Sequence, residues 1–325
     1  MVKPLRRSAA RAEAGRIELL APDLAAYEAG NLGIPYVWRF AAALPGPRLM
    51  INALTHGNEL CGAIALDFLL RERVRPRRGS LTLSFANVAA YRQFDRREPD
   101  ASRYVEEDFN RLWDRATLEG LRGSVELARA RALRPLLEET DFLLDLHSMQ
   151  TETEPLALAG TRPKGRDLAR RVGMPEIVVL DHGHAAGRRM RDYGHFDDPT
   201  SPQAALLVEC GQHWLKPSAA VAIEASLRFL QAFELVDPAW LARHLPAAPP
   251  PAQRLIEVTE AVTVATDRFR FRESYCGLEI IPKAGTIIAW DGELPIATPY
   301  DDCVLIMPSQ RLARGQTAVR LGRIL

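Results

Sequence analysis

NALTHGNELCGAI, residues 52–64, joins two kinds of chain. The residues before it, PRLMINAL (47–54), form a short and mostly apolar run, as expected of a strand buried on both faces. The residues after it, LCGAIALDFLLRERV (60–74), are apolar at helical spacing. Strand into helix across four polar residues is the βα unit of an α/β protein. The join itself, His56-Gly57-Asn58-Glu59, has two readings. It is a solvated turn, or His56 and Glu59 are two ligands of one metal ion.

The pattern repeats along the chain. SLTLSFANV (80–88) predicts a second strand, GSVELARARALRPLLEE (123–139) a helix, and DFLLDLHS (141–148) a buried strand. EPLALAG and EIVVL are further strands with a helix near 164–172 between them, and QAALLVECG (203–211) is another strand. SAAVAIEASLRFLQAF (218–233) is a long amphipathic helix, and residues 16–42 suggest an opening pair of strands. Strands alternating with helices predict a central, mostly parallel, twisted sheet flanked by helices. The stretch 234–253, with PAAPPP inside it, reads as a stiff linker. Beyond it, residues 254–325 are short strands cut by Gly, Pro and Asp turns. The expected organisation is an α/β domain over 1–240 and a small all-β domain over 254–325.

Three strands end in residues able to bind a metal or move a proton: His56, His147 and Glu209. Ligand sites in open α/β sheets lie beyond the carboxyl ends of the strands. Two histidines and one glutamate are a recurrent catalytic zinc set that leaves a fourth position open. His56, Glu59 and His147 would supply it. Asp145, two residues before His147, points to the same side of the strand and can fix the tautomer of a ligand imidazole. Glu209, an acid at the end of an apolar strand, needs a partner or a task, and beside a metal it can serve as a proton carrier. Between the two ligand segments lies SRYVEEDFNRLWD (102–114), whose Arg103 and Arg111 are suited to carboxylates or a developing oxyanion.

Bulk composition narrows the function classes. The 325 residues carry a net charge of +1, with 47% hydrophobic and 26% charged residues. That gives no support for nucleic acid or an anionic membrane as partner. The first twenty residues are basic but lack the apolar core of a secretory signal, and a leader segment is the expectation there. Cys61, Cys210, Cys276 and Cys303 are scattered without a CxxC, which suits reduced thiols and a cytoplasmic setting.

In their order, THGNE, DFNRLWD with Asp108, DLHS and VECG resemble the succinylglutamate desuccinylase/aspartoacylase family, of the zinc carboxypeptidase-like fold. The resemblance spans roughly residues 48–216, and the β-rich tail is more loosely similar. It implies one zinc ion per chain on His56, Glu59 and His147. It implies Glu209 as general acid/base, Arg103 polarising the scissile carbonyl, and Asn110 with Arg111 holding a substrate carboxylate. The implied activity is hydrolysis of the amide bond of a small N-acyl amino acid or related N-acyl compound, rather than of peptide bonds. The alternatives are a zinc carboxypeptidase acting on peptides and a non-catalytic binder on the same fold. A homo-oligomer is compatible with the sequence.

The chain departs from the family pattern in two places. Asn87-Val88 stands where Asn-Pro is common, and no arginine aligns on the segment approaching Glu209, where Pro199 and Thr200 lie. Arg188, Arg189 and Arg191 are the upstream substitutes. They belong to DHGHAAGRRMRDYGHFDDP (181–199), whose glycines and length suggest a pocket wall, with His182, His184 and His195 as a less favoured second metal site. FRFR (269–272) reads as a polar strand on a domain surface.

Overall fold

The structure is a computed structural model and describes residues 16–325. The expected leader lies, up to residue 15, outside the described residues. In chain order the first half holds β1 (Val37–Ala41), β2 (Arg48–Ala53), α1 (Leu60–Arg71), β3 (Ser80–Phe85), α2 (Val88–Tyr91), α3 (Arg115–Glu119), α4 (Val125–Glu139), β4 (Phe142–Met149) and β5 (Leu156–Leu158). It continues through α5 (Pro163–Val172), β6 (Ile177–Leu180), β7 (Ala204–Gln212), α6 (Lys216–Ala232) and α7 (Pro238–His244). The remainder is strands: β8 (Arg254–Thr263), β9 (Phe269–Phe271), β10 (Glu279–Ile281), β11 (Ile287–Asp291), β12 (Leu294–Ala297), β13 (Cys303–Ile306) and β14 (Thr317–Ile324).

Eleven strands form one sheet in the order β1-β3-β2-β4-β7-β5-β6-β8-β14-β13-β10. The run β3-β2-β4-β7 is parallel, as the apolar character of those strands predicts. β5 is antiparallel to β7 but parallel to β6. β6 then pairs in parallel with β8, so the β-rich tail continues the central sheet. A second sheet, β12-β11-β9, lies within that tail.

The strand periodicity decides which residues reach the site. Leu49, Ile51 and Ala53 of β2, Leu144 and Leu146 of β4, and Leu206 and Val208 of β7 turn to one face. There they pack with Leu66 and Leu69 of α1 and Leu227 and Phe229 of α6. Truncating one such leucine to alanine costs about 2–5 kcal/mol. The opposite face packs Met50, Leu143 and Ala205 against Leu127, Leu133 and Leu137 of α4. Asp145, His147 and Glu209 fall on this second face by the period of two. They lie beyond its apolar part, at the carboxyl ends of their strands.

Two local expectations differ from the structure. The opening segment forms one strand, β1, rather than a pair. Residues 17–20 form no strand, and Glu18 and Leu19 donate instead to the carbonyl of Trp214. The linker around 234–253 contains α7, started by Asp237, whose side chain accepts from the amides of Ala239 and Trp240. An N-cap followed by Pro238 is a helix signal even in proline-rich sequence. Among the described residues no helix is long and apolar enough to cross a membrane.

Candidate active site

The turn after β2 is too tightly packed to be a solvated loop. A Cβ on Gly57 would stand 2.4 Å from the Tyr91 nitrogen and 2.5 Å from the Ser102 oxygen, so only glycine fits. The Gly57 amide donates to the carbonyl of Arg103 at 3.1 Å, which ties the turn to the arginine segment. Asn58 is held from the other side by the indole of Trp214. His56 and Glu59 are thereby buried, at 3% and 1% exposure.

His56, Glu59 and His147 form a buried group whose ligand-type atoms lie within 4.8 Å of one another. Glu59 stands between the imidazoles, its Oε1 at 2.7 Å from His56 Nδ1 and its Oε2 at 2.9 Å from His147 Nδ1. The far nitrogen of each ring meets its own carboxylate. His56 Nε2 is 2.9 Å from Asp108, and His147 Nε2 is 2.8 Å from Asp145. Such outer carboxylates fix the tautomer and leave the inner nitrogens for an ion. Asp145 is itself held by Asn52 at 2.8 Å and Thr55 at 3.0 Å, both from the stretch that opens the site. The donor set, its burial and its outer partners fit a divalent metal ion. Although burial opposes it, Asp145 and Glu59 hold the His147 imidazole well above the ordinary histidine value. Against the same opposition, Arg103 and His56 hold Asp108 well below the ordinary carboxyl range.

Glu209 reaches this centre through strand register: β4 and β7 are parallel with His147 opposite Glu209. Its Oε2 is buried without a partner. Burial pushes the carboxyl up to about 8, with Glu59 and Asp145 acting in the same direction against His147 and Arg103. A dication on the neighbouring ligands would oppose that shift. Arg103 lies beside the ligands, with Nη2 at 3.1 Å from Asp108 and Nη1 at 3.6 Å from Glu59.

His56, Glu59, Arg103, Asn110, Arg111, His147 and Glu209 all line one cavity of about 530 Å³. Asn110 is 3% exposed, and its Oδ1 accepts from the Met190 amide at 2.8 Å, which turns its NH2 group the other way. Arg111 Nη1 donates to the Asn110 carbonyl, and its Nη2 stands 3.8 Å from Asp108. Burial, and then the guanidiniums of Arg103, Arg189 and Arg320, bring Arg111 down to about 10.

The loop 181–199 does wall the cavity, through His184 and Arg189. The upstream arginines are not the free substitutes suggested by the sequence. Arg188 binds Asp197, Arg189 binds Asp181 and Asp192, and Arg191 binds Asp192 and two carbonyls. Among the described residues, the one group of three or more ligand-type side chains close enough to share an ion is His56, Glu59 and His147, so the loop histidines form no second such group. Residues 269–272 do not line the cavity, and β9 belongs to the separate small sheet. Sequence reasoning missed the contribution of the tail: Met307, Arg311, Thr317 and Arg320 all reach the cavity wall. It also missed Glu126, fully buried, whose carboxylate accepts from the amides of Val105, Glu106 and Glu107 and from Asn87. The buried acid inside an otherwise helical pattern was the available signal.

Residues 45–233 match the family model described as the succinylglutamate desuccinylase/aspartoacylase catalytic domain. A succinylglutamate desuccinylase structure from Vibrio parahaemolyticus superposes with a TM-score of 0.67 at 17% identity, covering 90% of this chain and 86% of that one. The enzyme of the same name from Vibrio cholerae gives 0.65 at 19%, covering 89% and 85%. A product-bound ectoine utilization protein from Ruegeria pomeroyi gives 0.61 at 17%, covering 88% and 87%. At such identities the likeness is one of fold. A sequence search of curated proteins found no match. The family model covers more than half of the chain, and the chain belongs to the succinylglutamate desuccinylase/aspartoacylase family.

Proposed function

We propose that this chain is a zinc-dependent amidohydrolase that removes the acyl group from a small N-acyl amino acid or related N-acyl compound. One observation carries the reading: a buried His-Glu-His ligand group shares a single cavity with Glu209. One zinc ion per chain would be held by His56, Glu59 and His147. When bound, it would supply an acidified water and draw electrons from the scissile carbonyl.

The chain's own residues do the rest. Glu209 takes a proton from the attacking water and returns it to the leaving nitrogen. Arg103 donates to the oxyanion as charge develops on the carbonyl oxygen. Arg111 and the NH2 group of Asn110 hold the substrate carboxylate and so orient the amide. Asp108 and Asp145 hold the ligand imidazoles in place.

The division into a hydrolase part, 1–240, and a β-rich part, 254–325, belongs to the same proposal, with the second part walling the cavity. That wall supports a small substrate over an extended peptide, because Met307, Arg311, Thr317 and Arg320 of the tail bound the cavity that holds the ligand group. The four unpaired cysteines support a cytoplasmic setting.

Glu209→Gln is the test. The variant should bind metal like the parent and lose turnover of N-acyl amino acids by about 10²–10⁴-fold. Near-normal deacylation by that variant would remove Glu209 from its role. A zinc-loaded parent that cleaves blocked dipeptides in preference to acetyl-amino acids would favour the peptidase.

A further inference from the structure

The segment that carries Arg103, Asn110 and Arg111 is held from behind by a buried acid. Glu126 lies in the first turn of α4, is fully buried, and takes no part in the cavity wall. Three consecutive amides converge on its carboxylate. Val105 donates to Oε1 at 2.6 Å, and Glu106 and Glu107 donate to Oε2 at 3.1 and 3.3 Å. The side-chain amide of Asn87 adds a second donor to Oε1, at 3.0 Å. Among the described residues no backbone carbonyl accepts from those three amides. The hold runs in both directions: Glu106 accepts from the Val125 amide and Glu107 from the Ser124 hydroxyl, at the open end of α4. Asn87 extends it to the metal turn, since its backbone amide donates to the Leu54 carbonyl at 2.8 Å, two residues before His56.

An acid in the first turn of a helix is ordinary, because the dipole favours it there, but such acids stand in water. Glu126 is turned inward instead, and a buried carboxylate is costly unless donors meet it. Here all four donors come from outside its own helix, and three belong to one loop. Arg103 precedes those three amides by two residues, and Asp108, Asn110 and Arg111 follow within four. Residues 104–108 belong to no helix or strand, so this acid stands in for the ladder that would otherwise fix the loop's path. Displacing a reacting group by about 1 Å can cost about 10²-fold in rate. We propose that Glu126 is a positioning residue for the reaction. Through residues 105–107 it sets where Arg103 meets the developing oxyanion and where Arg111 meets the substrate carboxylate, without touching substrate itself.

This inference rests on the deacylase reading, and two measurements separate their failures. The first uses Glu126→Gln, which keeps the shape but sets an NH2 group against amides that need an acceptor. Zinc-loaded parent and variant are compared on the best-cleaved member of a panel of N-acetyl amino acids and on the α-carboxamide of that member. In the variant kcat/KM for the free acid should fall about 10–100-fold, and the preference for the acid over its carboxamide should fall at least about tenfold, with zinc content unchanged. Loss of folded protein alone would lower both substrates in proportion, so an unchanged preference overturns the proposal. The second measurement needs no turnover: amide hydrogen exchange. In the parent, the amides of residues 105–107 should exchange at least about tenfold slower than those of an open loop. In Glu126→Gln they should exchange faster, and the faster exchange should spread to Arg103, Asn110 and Arg111. Open-loop exchange in the parent overturns the anchor even if the variant does not fold. Faster exchange confined to residues 105–107 shows that Glu126 does not hold the reacting residues, which also overturns it. A parent that cleaves neither compound, or both alike, rejects the reading of Arg111 above, and the exchange measurement then decides for or against the anchor by itself.

Discussion

The two ends of the cavity are built by opposite rules. At the metal end, the ligand imidazoles have both ring nitrogens engaged, and the outer carboxylates are shared among neighbours from β2, β4 and the arginine segment. At the far end, guanidiniums outnumber the carboxylates that meet them. At the first end the charges are matched within the chain; at the second, the guanidiniums of Arg189, Arg191 and Arg320 share the carboxylates of Asp181 and Asp192. The outer carboxylates at the first end orient the ligand imidazoles, whereas the second end leaves surplus positive charge on the cavity wall.

The metal end offers the sharpest way to break this contrast. His147→Ala should take bound zinc from about one ion per chain to nearly none after dialysis, read by metal analysis. Full metal content in that variant would mean that the ligand set is wrong. A smaller effect is expected from Asp145→Asn, which leaves the ligands but weakens the hold on His147. Zinc affinity should drop by about 10–100-fold, read by competition with a chelator. Unchanged zinc affinity would show that Asp145 does not support the His147 ligand.

The mildest effect is one of pH on the metal-free chain. His147 is held above its ordinary value and Glu209 is raised to about 8. Both sites therefore bind more protons folded than unfolded, so stability falls as pH rises from about 6.5 through 8. The carboxyls of Glu59 and Asp108 are depressed and stay ionised throughout that window. The thermal midpoint of stripped protein should decline over this range, and that of zinc-loaded protein should decline less, since the ion replaces the protons. Identical slopes with and without zinc would place the titrating groups elsewhere.

The difference between the ends also explains what could be read from the sequence. His56 and Glu59 are three residues apart, and the period of two along β4 put Asp145 and His147 on one side. Their meeting with Glu209 needed only that β4 and β7 be parallel neighbours, which the strand-helix alternation implies. Arg103, Asn110 and Arg111 were visible as one short segment. Arg320 was not: it lies 111 residues beyond Glu209, in the tail of short strands. Nothing local marks one arginine among 42 basic residues as the one facing a cavity. Nor does composition show that Arg188, Arg189 and Arg191 are occupied by Asp181, Asp192 and Asp197. Such pairings are decided by the loop's tertiary path, and Asn110 helps to set that path through Met190.

The pairing of β6 with β8 bears on how molecules enter and leave. Backbone hydrogen bonds run without a break from β7 through β5, β6 and β8 to β14. Glu209 and Arg320 thus sit on one hydrogen-bonded ladder, and swinging the β14 wall away from Glu209 would tear several of those bonds. The less costly exit is at the rim, where Arg311 meets Asp100 at 2.6 Å with both side chains partly in water. A pair so exposed is worth about 0–1 kcal/mol. Opening the cavity at this pair leaves the strand ladder intact, so Glu209 and Arg320 keep their spacing when it parts.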